Sequence, residues 1–331
     1  MNELKVGVIG CGYTGKLHAE AYQKVQGVKL VSAADSDTAR VSSFNFGVRR
    51  YTDYRELLES DVDAVSICLP TYLHHDVAVA ALERGKHVFL EKPIAVTMEE
   101  ARAMLRASRA SQRTLFVGMT HRFYPELREA KKLVEDGAIG DIIALNDSIL
   151  EHFGFLQSPP WYLDKNLAGG GVALTSGIHL VDRLRWFAAD EIAKVAGNCG
   201  NPYFHAPVED SGQMYLQFRS GISAQITMAF MRDPHPLVCD LQVIGTRGTI
   251  TVHTWKGYDL HNAKGDTAKV IYTDESHAQK VLIGMCGEAE EFCSSIREGR
   301  TPWPSVEESA RGLEIILAYY KSAETGGWIS V

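Results

Sequence analysis

The stretch LKVGVIGCGYTGKLHAEAY, residues 4–22, constrains the fold more than any other part of the chain. Val6, Val8 and Ile9 form a short apolar run rich in β-branched residues, the pattern of a strand buried on both faces. The turn Gly10-Cys11-Gly12-Tyr13-Thr14-Gly15 follows at once, and a helical stretch begins near Lys16. Glycine at these three places suits a dinucleotide fold. Gly10 permits a tight turn, Gly12 lets backbone approach a pyrophosphate, and Gly15 lets helix and strand pack closely. The helix N-terminus then offers unpaired N–H groups and partial positive charge to the phosphates. A second apolar run, Val28 to Ala34, ends in Asp35, twenty residues after Gly15, where a carboxylate accepts from the adenosine ribose hydroxyls. Strand, turn, helix and acid together predict a nicotinamide dinucleotide site rather than a glycine turn that only packs. Asp35 repels a 2′-phosphate and no arginine follows it directly, so NAD is expected over NADP; Arg40, one helical turn on, is the one residue placed to accept that phosphate.

The rest of the first third continues the alternation. Asp37 to Phe46 is predicted helical, Val48 to Tyr51 a short edge strand, and Tyr54 to Ser60 a short helix. Asp63 to Leu69 is a buried strand stopped by Pro70; helix Asp76 to Arg84 and strand Lys86 to Leu90 follow. Thr97 and Glu100 form a capping-box pattern, and Thr114 to Met119 is the last strand of the series. Such a βαβ series predicts a doubly wound parallel sheet with ligands outside the carboxyl ends of its strands. That rule selects Gly10–Gly15 with Tyr13 and Thr14, Asp35, Leu69, Pro70, Thr71, His74, Glu91, Lys92, His121 and Arg122 as cofactor-side residues.

Beyond Arg122 the pattern changes. Helix Tyr124 to Asp136 leads to strand Ile142 to His152, then a polar and aromatic loop from Gly154 through Trp161 to Leu167. The triplet Gly169-Gly170-Gly171 precedes a helix from Val172 to Phe187, and its glycines permit close approach of backbone to a ligand. Period-two runs follow at Gly212–Arg219, Ile222–Phe230, Asp240–Gly245 and Thr249–Val252, with a hairpin break at Gly245–Gly248. They predict a mainly antiparallel sheet with one face covered by helices and the other open to a partner. Two helices, Cys286 to Glu298 and Glu307 to Glu324, finish a two-domain chain divided as 1–121 and 122–331.

Composition excludes several classes. The net charge of −7 leaves no footprint for nucleic acid or an anionic membrane. No apolar run reaches the roughly 20 residues that span a bilayer. The first strand starts too early for a signal peptide, which makes the cytoplasm the expected compartment. Six scattered cysteines show no metal spacing, and no metal is expected.

Two residues stand out for chemistry. Lys92, between Glu91 and Pro93 at a strand end, either holds a reacting oxygen and stabilises alkoxide charge or is a solvated surface lysine. His179 either removes a hydroxyl proton or is a hydrogen-bonded core histidine; Thr175 lies four residues before it on the same helical face.

GCGYTG, Pro70-Thr71-x-x-His74, Glu91-Lys92-Pro93, His121-Arg122-Phe123-x-Pro125 and GGG…GIH-x-x-D together resemble the Gfo/Idh/MocA oxidoreductases over essentially the whole chain. The resemblance implies a Rossmann domain, then an α/β domain with a large open antiparallel sheet commonly used for oligomerisation, hence a homodimer or homotetramer. It implies NAD(P)-linked redox chemistry on a sugar, cyclitol or similar polyol. By it Lys92 matches the family lysine near the nicotinamide, and His179 the catalytic histidine. The substrate is then expected among Lys92, Arg122, Tyr124, Trp161, Thr175 and His179, with Glu151, His152 and Asp164 as further candidates. Many members carry Asp where this chain has Thr175, which leaves His179 without that charged neighbour. Two rivals follow: a NAD-binding sensor that has lost the chemistry, and a glycoside-cleaving relative that returns its hydride within one cycle.

Overall fold

A computed structural model describes residues 3–152, 159–231 and 237–331. The chain forms two compact units, one from Met1–Thr120 with Val281–Ala310, the other from His121–Lys280 with Arg311–Val331.

The first unit opens with β1 (Leu4–Ile9), α1 (Tyr13–Tyr22) and β2 (Val28–Ala34). It continues through α2 (Thr38–Ser42), β3 (Arg49–Tyr51), α3 (Tyr54–Leu58) and β4 (Ala64–Ile67). Then come α4 (His74–Glu83), β5 (His87–Leu90), α5 (Met98–Ser111) and β6 (Leu115–Val117). The strands pair in parallel in the order β3-β2-β1-β4-β5-β6. The order reverses between β1 and β4, which opens a crevice for ligands at their carboxyl ends. β4 is buried at all four positions, as a sheet covered on both faces requires. The capping box forms as the sequence predicts: the Glu100 N–H donates to Thr97 Oγ1 at 3.2 Å, and the Thr97 N–H to Glu100 Oε2 at 3.0 Å. The helix predicted over Asp37–Phe46 is shorter, ending at Ser42.

The second unit begins with α6 (Pro125–Glu135), β7 (Ile142–His152), α7 (Lys165–Ala168) and α8 (Ile178–Ala188). The polar loop predicted from Gly154 lies in part outside the described residues; its later part contains α7. The meander follows: β8 (Ile192–Gly200), β9 (Ser211–Phe218), β10 (Ser223–Met231) and β11 (Val238–Gly245). β12 (Gly248–His253), β13 (Gly257–Asn262) and β14 (Gly265–Val270) extend it. After α9 (His277–Glu298) and α10 (Val306–Thr325), β15 (Ile329–Ser330) joins the far edge of the sheet. The nine described strands run β14-β13-β12-β11-β7-β10-β9-β8-β15, with β7–β10 parallel and the other pairs antiparallel. On β9 and β10, Met214, Leu216, Phe218, Ala224, Ile226, Met228 and Phe230 face the core and alternate with more accessible residues. Gly245 and Gly248 close the predicted hairpin.

A single boundary near residue 121 does not describe where the chain returns. In α9, Met285, Glu288, Ala289, Phe292 and Cys293 repeat at helical spacing and are buried. Phe292 packs on Phe89 and Phe116, ring centroids 5.6 and 6.2 Å away, so this stretch completes the core of the first unit.

Candidate active site

The carboxyl end of β1 forms a cradle. Gly10 has φ +99°, and a Cβ there would lie 2.2 Å from the Cys68 carbonyl oxygen; a Cβ on Gly15 would lie 1.9 Å from the Gly10 oxygen. Both glycines are needed for packing of the chain against itself. Gly12 differs: a Cβ there would meet nothing within 4 Å. Open space above Gly12, and an α1 N-terminus with neither a capping side chain nor an acidic residue in its first turn, fit a pyrophosphate. Thr14 lies in this first turn and Tyr13 is 67% exposed.

Asp35 closes the cradle. Its Oδ2 accepts from the Cys11 N–H at 2.8 Å and its Oδ1 from the Asp37 N–H at 2.9 Å, which fixes a half-buried carboxylate at the carboxyl end of β2. Arg40 is paired with Asp37 at 3.4 Å. Burial, then Asp35, pushes the Cys11 thiol up to about 12, so it stays protonated.

Lys92 sits on a braced turn. His18 of α1 places Nε2 2.8 Å from Glu91 Oε1 and Nδ1 3.1 Å from Ser66 Oγ, which in turn meets the Tyr22 hydroxyl at 2.6 Å. Burial is the largest influence on Glu91 and opposes its charge. The hydrogen bond from His18, together with the charges of His18, Lys92 and His74, outweighs it and holds the carboxyl below its ordinary range. The Lys92–Pro93 peptide bond is cis. His74 ties the same region together, its ring nitrogens 2.9 Å from the carbonyls of Pro93 and Leu69. Thr71 is buried, while Leu69 and Pro70 are half-buried. Glu288 of α9 is fully buried, takes a hydrogen bond from Thr120 at 3.1 Å, and is pushed well up by burial and then by Glu91. The sequence motifs single out neither His18 nor Glu288. A histidine three residues after Gly15, on a helix forced against the sheet, is the available signal for His18; Glu288 carries none.

In the second unit, the segment predicted as one helix from Val172 is a π turn, Ala173–Gly177, running into α8. Such turns often mark functional positions. Thr175 is the half-exposed residue of this turn, whose other four residues are buried, and His179 follows at 9% exposure. The His179 ring stacks on that of His121, centroids 4.4 Å apart and 11° from parallel. Tyr124 lies 5.6 Å from His121, ring to ring.

The glycine triplet approaches the chain itself. A Cβ on Gly170 would lie 1.9 Å from the Tyr320 hydroxyl, and one on Gly171 1.9 Å from the Glu209 carbonyl. Glu209 Oε1 accepts from the Ala173 N–H at 3.1 Å and from Tyr320 at 2.7 Å, so a protein carboxylate occupies the start of this helix.

Arg122 is 1% exposed, and Asp182 grips its guanidinium with two hydrogen bonds of 2.8 Å. Among the other candidates, Glu151 accepts from Ser176, Asp164 caps α7 by accepting from the Asn166 N–H at 2.9 Å, and Trp161 packs on Tyr162 at 4.1 Å. Among the described residues no cluster of potential metal ligands occurs, and no helix is long and apolar enough to cross a membrane.

Residues 4–119 match the oxidoreductase family with an NAD-binding Rossmann fold, and residues 127–251 match the GFO/IDH/MocA C-terminal domain. The chain belongs to the Gfo/Idh/MocA oxidoreductase family. Its relatives include levoglucosan dehydrogenase of Pseudarthrobacter phenanthrenivorans, 26% identical across 100% of this chain and 99% of that protein. Another is scyllo-inositol 2-dehydrogenase (NAD(+)) of Bacillus subtilis, 27% identical across 98% of this chain and 95% of that one. A solved levoglucosan dehydrogenase complex with NADH and levoglucosan matches with a TM-score of 0.88 at 25% identity, covering 99% of both chains. The first unit is thus an NAD-binding Rossmann domain within a family of NAD-dependent dehydrogenases.

Proposed function

We propose that this family member oxidises a secondary alcohol of a sugar, cyclitol or related polyol with NAD. The observation that supports the reading is the contact of His18, on the helix after the glycine turn, with Glu91, the neighbour of the half-buried Lys92. Lys92 would donate to the substrate oxygen and steady its negative charge as the proton leaves. His179, its ring plane set by stacking on His121, would take that proton. Bound NAD supplies the hydride acceptor. Asp35 would accept from the ribose diol and reject a 2′-phosphate; the pairing of Arg40 with Asp37 supports the same preference. Substrate hydroxyls would meet Thr175 and Trp161. A homodimer or homotetramer formed through the open sheet face of the second unit accompanies this reading, and light scattering tests it.

The decisive assay follows NADH formation with a panel of polyols, with NAD and NADP compared, for the native protein and for His179→Ala and Lys92→Ala. Turnover with NAD, reduced about 10²–10⁴-fold in His179→Ala, supports His179 as proton acceptor. Thr175 is what favours the sensor rival, which would bind NAD without turnover; a glycoside-cleaving enzyme would release sugar without net NADH. Full turnover by His179→Ala would remove that residue from the mechanism.

A further inference from the structure

Trp255 bears two costs at once. It is a bulky residue at φ +65°, in the left-handed region that large side chains rarely adopt. Its indole N–H is also buried with no hydrogen-bond partner among the described residues. An indole placed by polar bonding would not leave its one donor unmet, so ring packing sets its position. Backbone strain of this kind persists only where the surroundings enforce it, and it concentrates at functional sites.

The surroundings do enforce it. The Trp255 N–H donates to Oε1 of the fully buried Glu126 at 2.7 Å, and the Trp255 carbonyl accepts from Lys280 Nζ at 3.0 Å. So clamped, the indole meets three rings near right angles: His121 at 5.9 Å and 89°, Tyr124 at 5.8 Å and 72°, and His277 at 4.9 Å and 78°. His121 is the ring that stacks on His179 at 4.4 Å. A continuous set of aromatic contacts therefore runs from a strained backbone position to the imidazole assigned the proton.

We propose that Trp255 is a positioning residue for the reaction: its indole fixes the His121 ring edge-on, and His121 in turn fixes the plane of His179. The proposal rests on the reading of His179 as proton acceptor. Trp255 need not touch the substrate to act this way. Removing the indole frees the stacked pair to tilt, which lowers the rate of proton removal more than it weakens binding.

Trp255→Gly is the informative variant, because glycine adopts the left-handed backbone freely and the loss of the ring is read without added backbone strain. The expected result is kcat lowered at least ~10-fold with KM and NAD affinity within about threefold. Trp255→Phe, which keeps a ring edge, should restore most of the rate. Histidine-selective ¹⁵N NMR of the cofactor-free protein supplies a readout besides activity: the His121 and His179 ring signals should shift or broaden in Trp255→Gly and stay near native in Trp255→Phe. If Trp255→Gly does not fold, Trp255→Asn, also tolerant of that backbone region, is read in the same way. Native kcat and native histidine spectra in Trp255→Gly would overturn the proposal, as would equal damage in the Phe and Gly variants. Full turnover by His179→Ala with the NMR changes intact would instead sink the assignment of His179 beneath it.

Discussion

His18 and Glu91 are 73 residues apart in sequence and meet at 2.8 Å, joining the helix that follows the glycine turn to the strand end that carries Lys92. Glu91, the residue before Lys92, is thereby joined to the helix of the glycine turn in one hydrogen-bonded set with Ser66 and Tyr22. The coupling is local to the first unit.

Replacing His18 by Ala leaves the half-buried Glu91 carboxylate without its main side-chain donor. A hydrogen bond to a charged group contributes about 1.5–3 kcal/mol. We expect His18→Ala to lower kcat/KM by roughly 10–100-fold as the Lys92 turn loosens, with partial recovery in His18→Gln, whose amide still donates. Steady-state kinetics on both variants checks this, and an unchanged kcat/KM in His18→Ala would refute the coupling.

The three turn glycines should fail in two different ways. Ala at Gly10 or Gly15 places a methyl group within 2.2 or 1.9 Å of a backbone oxygen, so the main chain itself must move. Overpacking of that kind costs about 1–3 kcal/mol, and the left-handed φ at Gly10 adds about 1–2 kcal/mol. Gly12→Ala meets no neighbour, and its stability should stay within about 0.5 kcal/mol of native. Its methyl group instead enters the open space proposed to take the pyrophosphate, and NADH affinity should fall at least ~10-fold. Thermal unfolding paired with NADH fluorescence titration separates the two outcomes; Gly12→Ala as unstable as Gly15→Ala would contradict the cradle.

Arg122 is the case where sequence suggests a ligand contact and the structure adds an internal one. Both the guanidinium and Asp182 are buried, and breaking such a pair from one side costs about 3–5 kcal/mol because the remaining charge is uncompensated. We expect Asp182→Ala to lower the denaturation midpoint sharply, and the double variant Arg122→Met/Asp182→Leu to recover much of that loss. A double variant as unstable as the single one would show that the pair is not the source of the effect.

What can be read from the sequence divides along physical lines. The β1 and β2 runs, the Asp35 terminus and the Thr97–Glu100 box are encoded within a few residues of themselves, and each forms where local pattern places it. β8 reads IAKVAGNCG, a run of small and polar residues without alternation, and β14 is exposed throughout, so neither carries a hydrophobic period. The π turn before His179 is concealed because one extra residue per turn barely disturbs a 3.6-residue pattern. Gly170 and Gly171 suggest, by pattern alone, room for a ligand; their neighbours Tyr320 and Glu209 are remote in sequence, and no local signal announces them. The ring contacts of His121 with His179 and Trp255 are of the same kind, made by tertiary packing alone.

His87 offers a pH test of the Rossmann unit that is independent of turnover. Its Nδ1 accepts from the Thr114 N–H at 3.0 Å, which requires a neutral ring, and burial followed by the charge of Arg113 lowers its pKa from 6.5 to about 4. The unfolded chain therefore binds a proton near pH 6.5 that the folded chain refuses until about pH 4. Stability from this group is complete above 6.5 and drains away as the pH falls toward 4. His87→Asn keeps an acceptor for the Thr114 N–H and cannot titrate. Between these pH values the native protein should take up more protons on unfolding than the variant, the difference approaching about one. Denaturant unfolding at several pH values in that window measures it, and parallel curves for the two proteins would show that His87 is not held neutral.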